Sequence, residues 1–105
     1  PVAYAVGDRI DVSPDIYTGA PLTLLVFGRS TCSACEASVD TYHAAVSVAS
    51  ERAIPAWFLT PVPHLDPERS FAQRLGIASH QVVHIAPTSV RLRSVPALIL
   101  VDRDG

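Results

Sequence analysis

A nearly continuous apolar run at residues 22–27 is the feature that most constrains the fold. The run has the sequence LTLLVF and ends at Gly28. Strands that are apolar at almost every position are typical of parallel sheets, because both faces of such sheets are covered. The run is far shorter than the roughly 18 residues needed to cross a bilayer. We therefore predict a central strand here.

A helical period follows this strand. Apolar residues recur at spacings of four, three, four and three, at Cys35, Val39, Tyr42, Val46 and Ala49. This period predicts one amphipathic helix that begins near Ser33 and ends near Arg52. Ser33 and Glu36 fit a capping box, with Thr31 as an alternative cap. Either start places Cys32 at the N terminus of the helix.

The remaining signals predict further strands and one more helix. Residues 55–60 form a predicted strand, and the helix before it makes a strand-helix-strand unit with parallel strands. A second helix is predicted from Asp66, with Pro67 in its first turn and Gly76 after its end. Residues 81–85 are predicted to be briefly extended, and residues 97–101 form the third clear strand.

The length and composition favour one globular domain. A chain of 105 residues with no internal repeat supports a single hydrophobic core. Residues 1–21 alternate polar and apolar side chains around Ile10 and contain turn signals, which predicts a strand or hairpin and then a loop. The domain would comprise this N-terminal extension and a core at residues 22–105. The predicted class is α/β, a mixed sheet flanked by helices.

Charge argues against nucleic acid as a partner. All eight basic residues are arginines spread along the chain, and the net charge is -2, so no basic stripe can follow a polyanion. No segment predicts membrane insertion. Because the sequence begins at Pro1 and contains no methionine, we expect residues upstream, which could include a signal peptide or membrane anchor.

The pair Cys32 and Cys35 carries the candidate chemistry. A thiolate is the reactive form of cysteine, and free N-H groups at a helix start stabilise an anion. Cys32 is therefore the predicted nucleophile, whereas Cys35 lies on the apolar face and should be more buried. With two residues between them the sulfurs can close a disulfide, so Cys35 can resolve a mixed disulfide formed at Cys32.

These motifs resemble the thioredoxin superfamily. The similarity rests on the strand before Cys32-Ser33-Ala34-Cys35, and on Val95-Pro96 immediately before the last strand. The ending VPALILVDRDG and the hydrophilic leader are most similar to the bacterial TlpA/ResA-like thiol-disulfide oxidoreductases. The similarity covers roughly residues 20–105.

The resemblance implies a thioredoxin-like fold with a catalytic pair and a substrate groove. Cys32 and Cys35 would be catalytic, and Thr31, Val95 and Pro96 would contact substrate, with a cis bond before Pro96. No cofactor would be consumed. The partners would be a cysteine-containing protein substrate and a redox partner protein, in an extracytoplasmic or periplasmic compartment.

The resemblance also implies a C-terminal strand and helix that are absent from this chain. We therefore expect either that the natural chain continues past Gly105 or that a neighbouring molecule covers the open sheet edge.

The sequence departs from the family in three respects and leaves one alternative open. Thr31 replaces the usual tryptophan, and Val26 replaces the acid that thioredoxins carry in the preceding strand. Proton transfer at Cys35 would then need water, Glu36 or another group. The dipeptide Ser33-Ala34 is not one of the well-known pairs between the cysteines, so the sequence leaves the reduction potential open. The alternative is a redox-inactive interaction or metal-binding module.

A metal site at the cysteines would need further ligands. His80 and His84 could complete a zinc site if they lay on a helix. On a strand their side chains would lie about 13 Å apart. We therefore predict no metal.

Overall fold

The computed structural model describes residues 4–86 and 96–105, which form a four-stranded mixed sheet and its covering elements. The strands are β1 (Leu22–Phe27), β2 (Ala56–Thr60), β3 (Val82–His84) and β4 (Ala97–Asp102). Their order across the sheet is β3-β2-β1-β4. β1 pairs parallel with β2 and antiparallel with β4, and β2 pairs parallel with β3. The predicted central strand is confirmed, because β1 is hydrogen-bonded on both sides.

The helix after β1 is divided in two. The sequence predicted one helix, and this is wrong: α1 (Ser33–Ala37) and α2 (Val39–Glu51) are separate elements. Ser38, between them, has φ -97° and ψ 0°, and its N-H donates to the carbonyl of Cys35 at 3.1 Å. Its hydroxyl donates to the carbonyl of Ala34 at 2.8 Å. The backbone bond to Cys35 spans three residues, as in a 3₁₀ turn, and with the ψ of Ser38 it marks the end of α1.

Both faces of β1 are buried, as predicted. Leu24 and Val26 belong to a core cluster shared with α2 and with α3 (Asp66–Arg74). Leu25 and Phe27 point to the opposite face and belong to a second cluster. Successive side chains of a strand alternate between faces, so a strand covered on both sides must be apolar almost throughout.

The N-terminal segment covers the second face without forming a strand. The strand or hairpin predicted for residues 1–21 is not found in residues 4–21, where the only regular element is a short 3₁₀ helix at Pro14–Ile16. Ile10, Ile16 and Tyr17 are buried in the second cluster. The Ile10 N-H donates to the carbonyl of Gly105 at 2.9 Å. The apolar positions around Ile10 thus reflect contact with a sheet face rather than strand pairing.

The third helix has the predicted bounds. α3 has Pro67 in its first turn, and Gly76 follows its end with φ 88°.

In the described part of the chain, no helix combines the length and apolar character that crossing a membrane would require.

Candidate functional site

Cys32 caps the first helix with its own sulfur. It has extended backbone angles, φ -108° and ψ 119°, and its Sγ accepts the N-H of Cys35 at 3.1 Å. The predicted caps, Ser33 and Thr31, are therefore wrong, because the sulfur occupies the position that a capping oxygen would take. Thr31 is exposed directly before the cysteine. The prediction that Cys32 lies at the helix start is confirmed.

The two sulfurs have different environments. Cys35 is only 3% exposed and belongs to the core cluster on the helix face of the sheet, whereas Cys32 is half-buried and packs against that cluster. Both side chains are thiols, and neither takes part in a disulfide. The prediction that Cys35 is the more buried residue is confirmed. A reagent or partner would therefore reach Cys32 first.

The environments shift the two thiol pKa values in opposite directions. A hydrogen bond from the Cys35 side chain lowers the pKa of Cys32, and the backbone N-H groups of Cys35 and Ala34 and the charge of Arg29 add to this effect against partial burial. Burial, followed by the interaction with Cys32, raises the pKa of Cys35 to about 11. The negative charge of a monothiolate therefore resides on Cys32, the sulfur nearer to solvent.

The loop between β1 and α1 approaches Cys35 closely. The Gly28 N-H donates to the carbonyl of Leu59 at 3.1 Å, which continues the parallel pairing of β1 with β2. A Cβ atom on Gly28 would lie 3.3 Å from the Phe58 ring and 3.4 Å from Cys35 Sγ. A glycine here lets the backbone lie against the sulfur. The Arg29 N-H, next along the chain, hydrogen-bonds Cys35 and lowers the pKa of its thiol.

Pro96 lies at the same end of the sheet as this loop. The pairing of β4 with β1 places Ala97 opposite Phe27, so Pro96 extends one residue past the paired strands, as Gly28 does. It is half-buried. The structure thus brings the Pro96 backbone to the end of the sheet at which the cysteine loop leaves β1. Val95, the other predicted substrate-binding residue, lies outside the described residues.

A buried acid behind the loop was missed by the sequence analysis. Glu68 on α3 is 1% exposed. It accepts hydrogen bonds from the Ser30 N-H at 2.8 Å, from the Ser30 hydroxyl, and from the Thr60 hydroxyl at 3.2 Å. A signal was available, because Glu68 precedes Phe71, Ala72 and Leu75 by three, four and seven positions, the spacing of one helix face.

Glu36, the acid considered for proton transfer, has a different partner. Its carboxylate receives two hydrogen bonds from the Arg74 guanidinium, at 2.8 and 2.6 Å. The bonds from Arg74 lower the pKa of Glu36. This ion pair joins α1 to α3 on the exposed surface. Glu36 therefore links the two helices, and its carboxylate is paired with the guanidinium of Arg74.

The histidines considered for a metal site are on different elements. His84 ends β3, and His80 lies in a short 3₁₀ helix at Ser79–Gln81. Both are exposed. Within residues 4–86 and 96–105, no group of three or more His, Cys, Asp or Glu side chains is arranged to hold a metal ion.

Comparison with known proteins adds no relative. No protein-family model, no curated protein and no solved structure matches this chain.

Proposed function

We propose that this chain is a thiol-disulfide oxidoreductase that exchanges disulfides with protein substrates through Cys32 and Cys35. One observation carries the proposal: Cys32 Sγ is half-exposed and accepts the N-H of a buried second cysteine within the same helical turn. An accessible thiolate next to a protonated, shielded thiol is the arrangement that two-step exchange requires.

The exchange proceeds in two balanced steps. The Cys32 thiolate attacks one sulfur of a substrate disulfide, forms a mixed disulfide and releases the other substrate sulfur as a thiolate, which takes up a proton. Cys35 then loses its proton, attacks Cys32 Sγ and releases the second substrate thiol. Two electrons pass from the chain to the substrate, and of the two protons taken up one comes from solvent and one from Cys35. A dithiol protein reduces the Cys32–Cys35 disulfide again, and the reverse sequence oxidises a substrate dithiol.

The sequence motifs support the finer parts of the proposal. The resemblance to TlpA/ResA-like proteins favours a thioredoxin-like fold, an extracytoplasmic location, a cysteine-containing protein substrate and a separate redox partner. Thr31, Val95 and Pro96 would line the groove for the extended substrate chain. Thr31 is exposed and Pro96 is half-buried at the same end of the sheet, and both positions are compatible with that role.

Trapping of the mixed disulfide tests the proposal. Cys35→Ser removes the resolving thiol but keeps Cys32, so a disulfide-bearing protein or peptide should remain attached to the variant. The adduct would be detected by non-reducing electrophoresis and mass spectrometry, and released by dithiothreitol.

The matched control is Cys32→Ser, which leaves only the buried thiol. This variant should give at least tenfold less adduct under the same conditions, because Cys35 is shielded and protonated near neutral pH. Equal adduct from both variants, or none from Cys35→Ser, would exclude the proposed exchange.

A further inference from the structure

Glu68 is an acidic residue held inside the protein by neutral donors. Both of its oxygens accept hydrogen bonds, one from the Ser30 hydroxyl and the other from the Ser30 N-H and the Thr60 hydroxyl. A buried carboxylate is costly unless such donors replace its water. The residue thus has a defined set of partners, and two of the three donors belong to one residue of the cysteine loop.

Those two donors fix the loop from behind. Ser30 lies two residues before Cys32, and a carboxylate that binds both its N-H and its hydroxyl restrains position and orientation together. The Thr60 hydroxyl anchors the same carboxylate to the end of β2. Glu68 therefore connects the cysteine loop to two elements of the core, α3 and β2.

The restrained loop also contacts the second cysteine. The Arg29 N-H, adjacent to Ser30, hydrogen-bonds Cys35, and Gly28 lies against Cys35 Sγ. Two consecutive backbone N-H groups of the loop therefore have different acceptors. The Arg29 N-H bonds to Cys35, and the Ser30 N-H bonds to Glu68. A shift of Ser30 would displace the Arg29 N-H and the extended backbone with which Cys32 enters α1.

We propose that Glu68 is a positioning residue for the cysteine pair, which holds Ser30 so that the loop keeps Cys32 at the helix start and the Arg29 N-H against Cys35. The biological purpose of this role rests on the proposed function. The effect of Glu68 on the loop can nevertheless be tested from the reactivity of the thiols, without a substrate.

Alkylation of the reduced protein as a function of pH tests this role. Glu68→Ala frees Ser30, and the rate for Cys32 at pH 7 should fall about three- to tenfold, with its midpoint moved toward that of an ordinary thiol. Glu68→Gln keeps an oxygen that can accept the Ser30 N-H, and its amide can donate to the Ser30 hydroxyl. It should therefore stay within about twofold of the original rate.

Two further variants keep the test decisive. Phe71→Leu, on the same helix and in the core, controls for destabilisation alone and should leave the alkylation midpoint unchanged. Ser30→Ala removes the hydroxyl donor at a half-buried position. Like Glu68→Ala, it should lower the alkylation rate of Cys32, by about twofold or more. If Glu68→Ala does not fold, Ser30→Ala decides the question.

The inference is overturned if folded Glu68→Ala, or Ser30→Ala in its place, alkylates like the original protein. It is also overturned if Glu68→Gln is as slow as Glu68→Ala, because the negative charge rather than the hold on Ser30 would then matter. An equal effect in Phe71→Leu would likewise overturn it. Failure of the proposed function would be a separate result, namely absence of trapped substrate while these thiol rates still differ.

Discussion

At the scale of single residues, the two cysteines differ because one helical turn separates a half-exposed position from a core position. Cys32 receives hydrogen bonds from Cys35, whose side chain makes the largest contribution to its lowered pKa. α1 has only five residues before the break at Ser38. The acidity of Cys32 therefore depends on contacts with its neighbours in the first turn more than on a long helix behind it.

The opposite pKa shifts predict two separate alkylation profiles. The Cys32 rate should remain high down to a pH below the usual thiol value of about 8.5, and fall as the pH drops through its own pKa. Cys35 should react appreciably only as the pH approaches about 11. Mass spectrometry of peptides labelled with iodoacetamide at different pH values would measure both. A common midpoint for the two thiols would contradict the structure.

Substitution of Cys35 tests its effect on the pKa of Cys32. In Cys35→Ala the side-chain donor is lost, so the Cys32 midpoint should move upward, while the backbone N-H of residue 35 still favours the thiolate.

The sequence predicted the placement of the cysteines but not the burial of Glu68, because only the first depends on residues that are close together in the chain. The spacing of Cys32 and Cys35 is local, so their placement in one helical turn follows from the helix period. An acid in the first turn of α3 is already explained by the helix dipole. Its burial depends on Ser30, which lies 38 residues earlier, and such a contact has no local signal.

At the scale of elements, local chemistry decided where helices end. Gly76 was predicted as a helix stop, and its positive φ, with N-H groups of Gly76 and Ile77 bonded to the last turn of α3, confirms this role. The break at Ser38 was not predicted, because the apolar period continues across it. The hydroxyl bond of Ser38 to Ala34 gives no signal either, because Ser47 makes the same bond to His43 inside α2 without a break.

The conformation of Gly76 predicts a measurable cost of substitution. Gly76→Ala should lower the free energy of unfolding by about 1 kcal/mol, because an L residue is strained at φ 88°. A Cβ there would meet Val46 and His43 only at ordinary contact distances, so the backbone alone accounts for the cost. Urea denaturation followed by circular dichroism would measure it.

Gly19→Ala is the matched control. Gly19 has open space around it, and its φ is not positive. Its substitution should leave the free energy of unfolding unchanged or slightly higher. Equal losses in the two variants would show that the backbone argument for Gly76 is wrong.

At the scale of the whole molecule, the sheet order brings together residues that are distant in sequence. The carboxyl end of β1 leads to the cysteine loop, and the antiparallel β4 begins beside it with Pro96 and Ala97. α3 adds Glu68 from behind. The strand-helix-strand unit was predictable from hydrophobic period alone. The N-terminal segment was not, since Ile10 and Ile16 resemble strand residues until a sheet face is present for them to cover.

The most direct test of the central claim is the redox equilibrium between Cys32 and Cys35 in defined mixtures of reduced and oxidised glutathione. The account predicts a reversible intramolecular disulfide, seen by mass spectrometry as the loss of two hydrogens without glutathione, with a smooth transition between the two forms. If oxidised buffers give only glutathione adducts or linked chains, and never a Cys32–Cys35 bond that dithiothreitol reverses, the pair is not a redox centre.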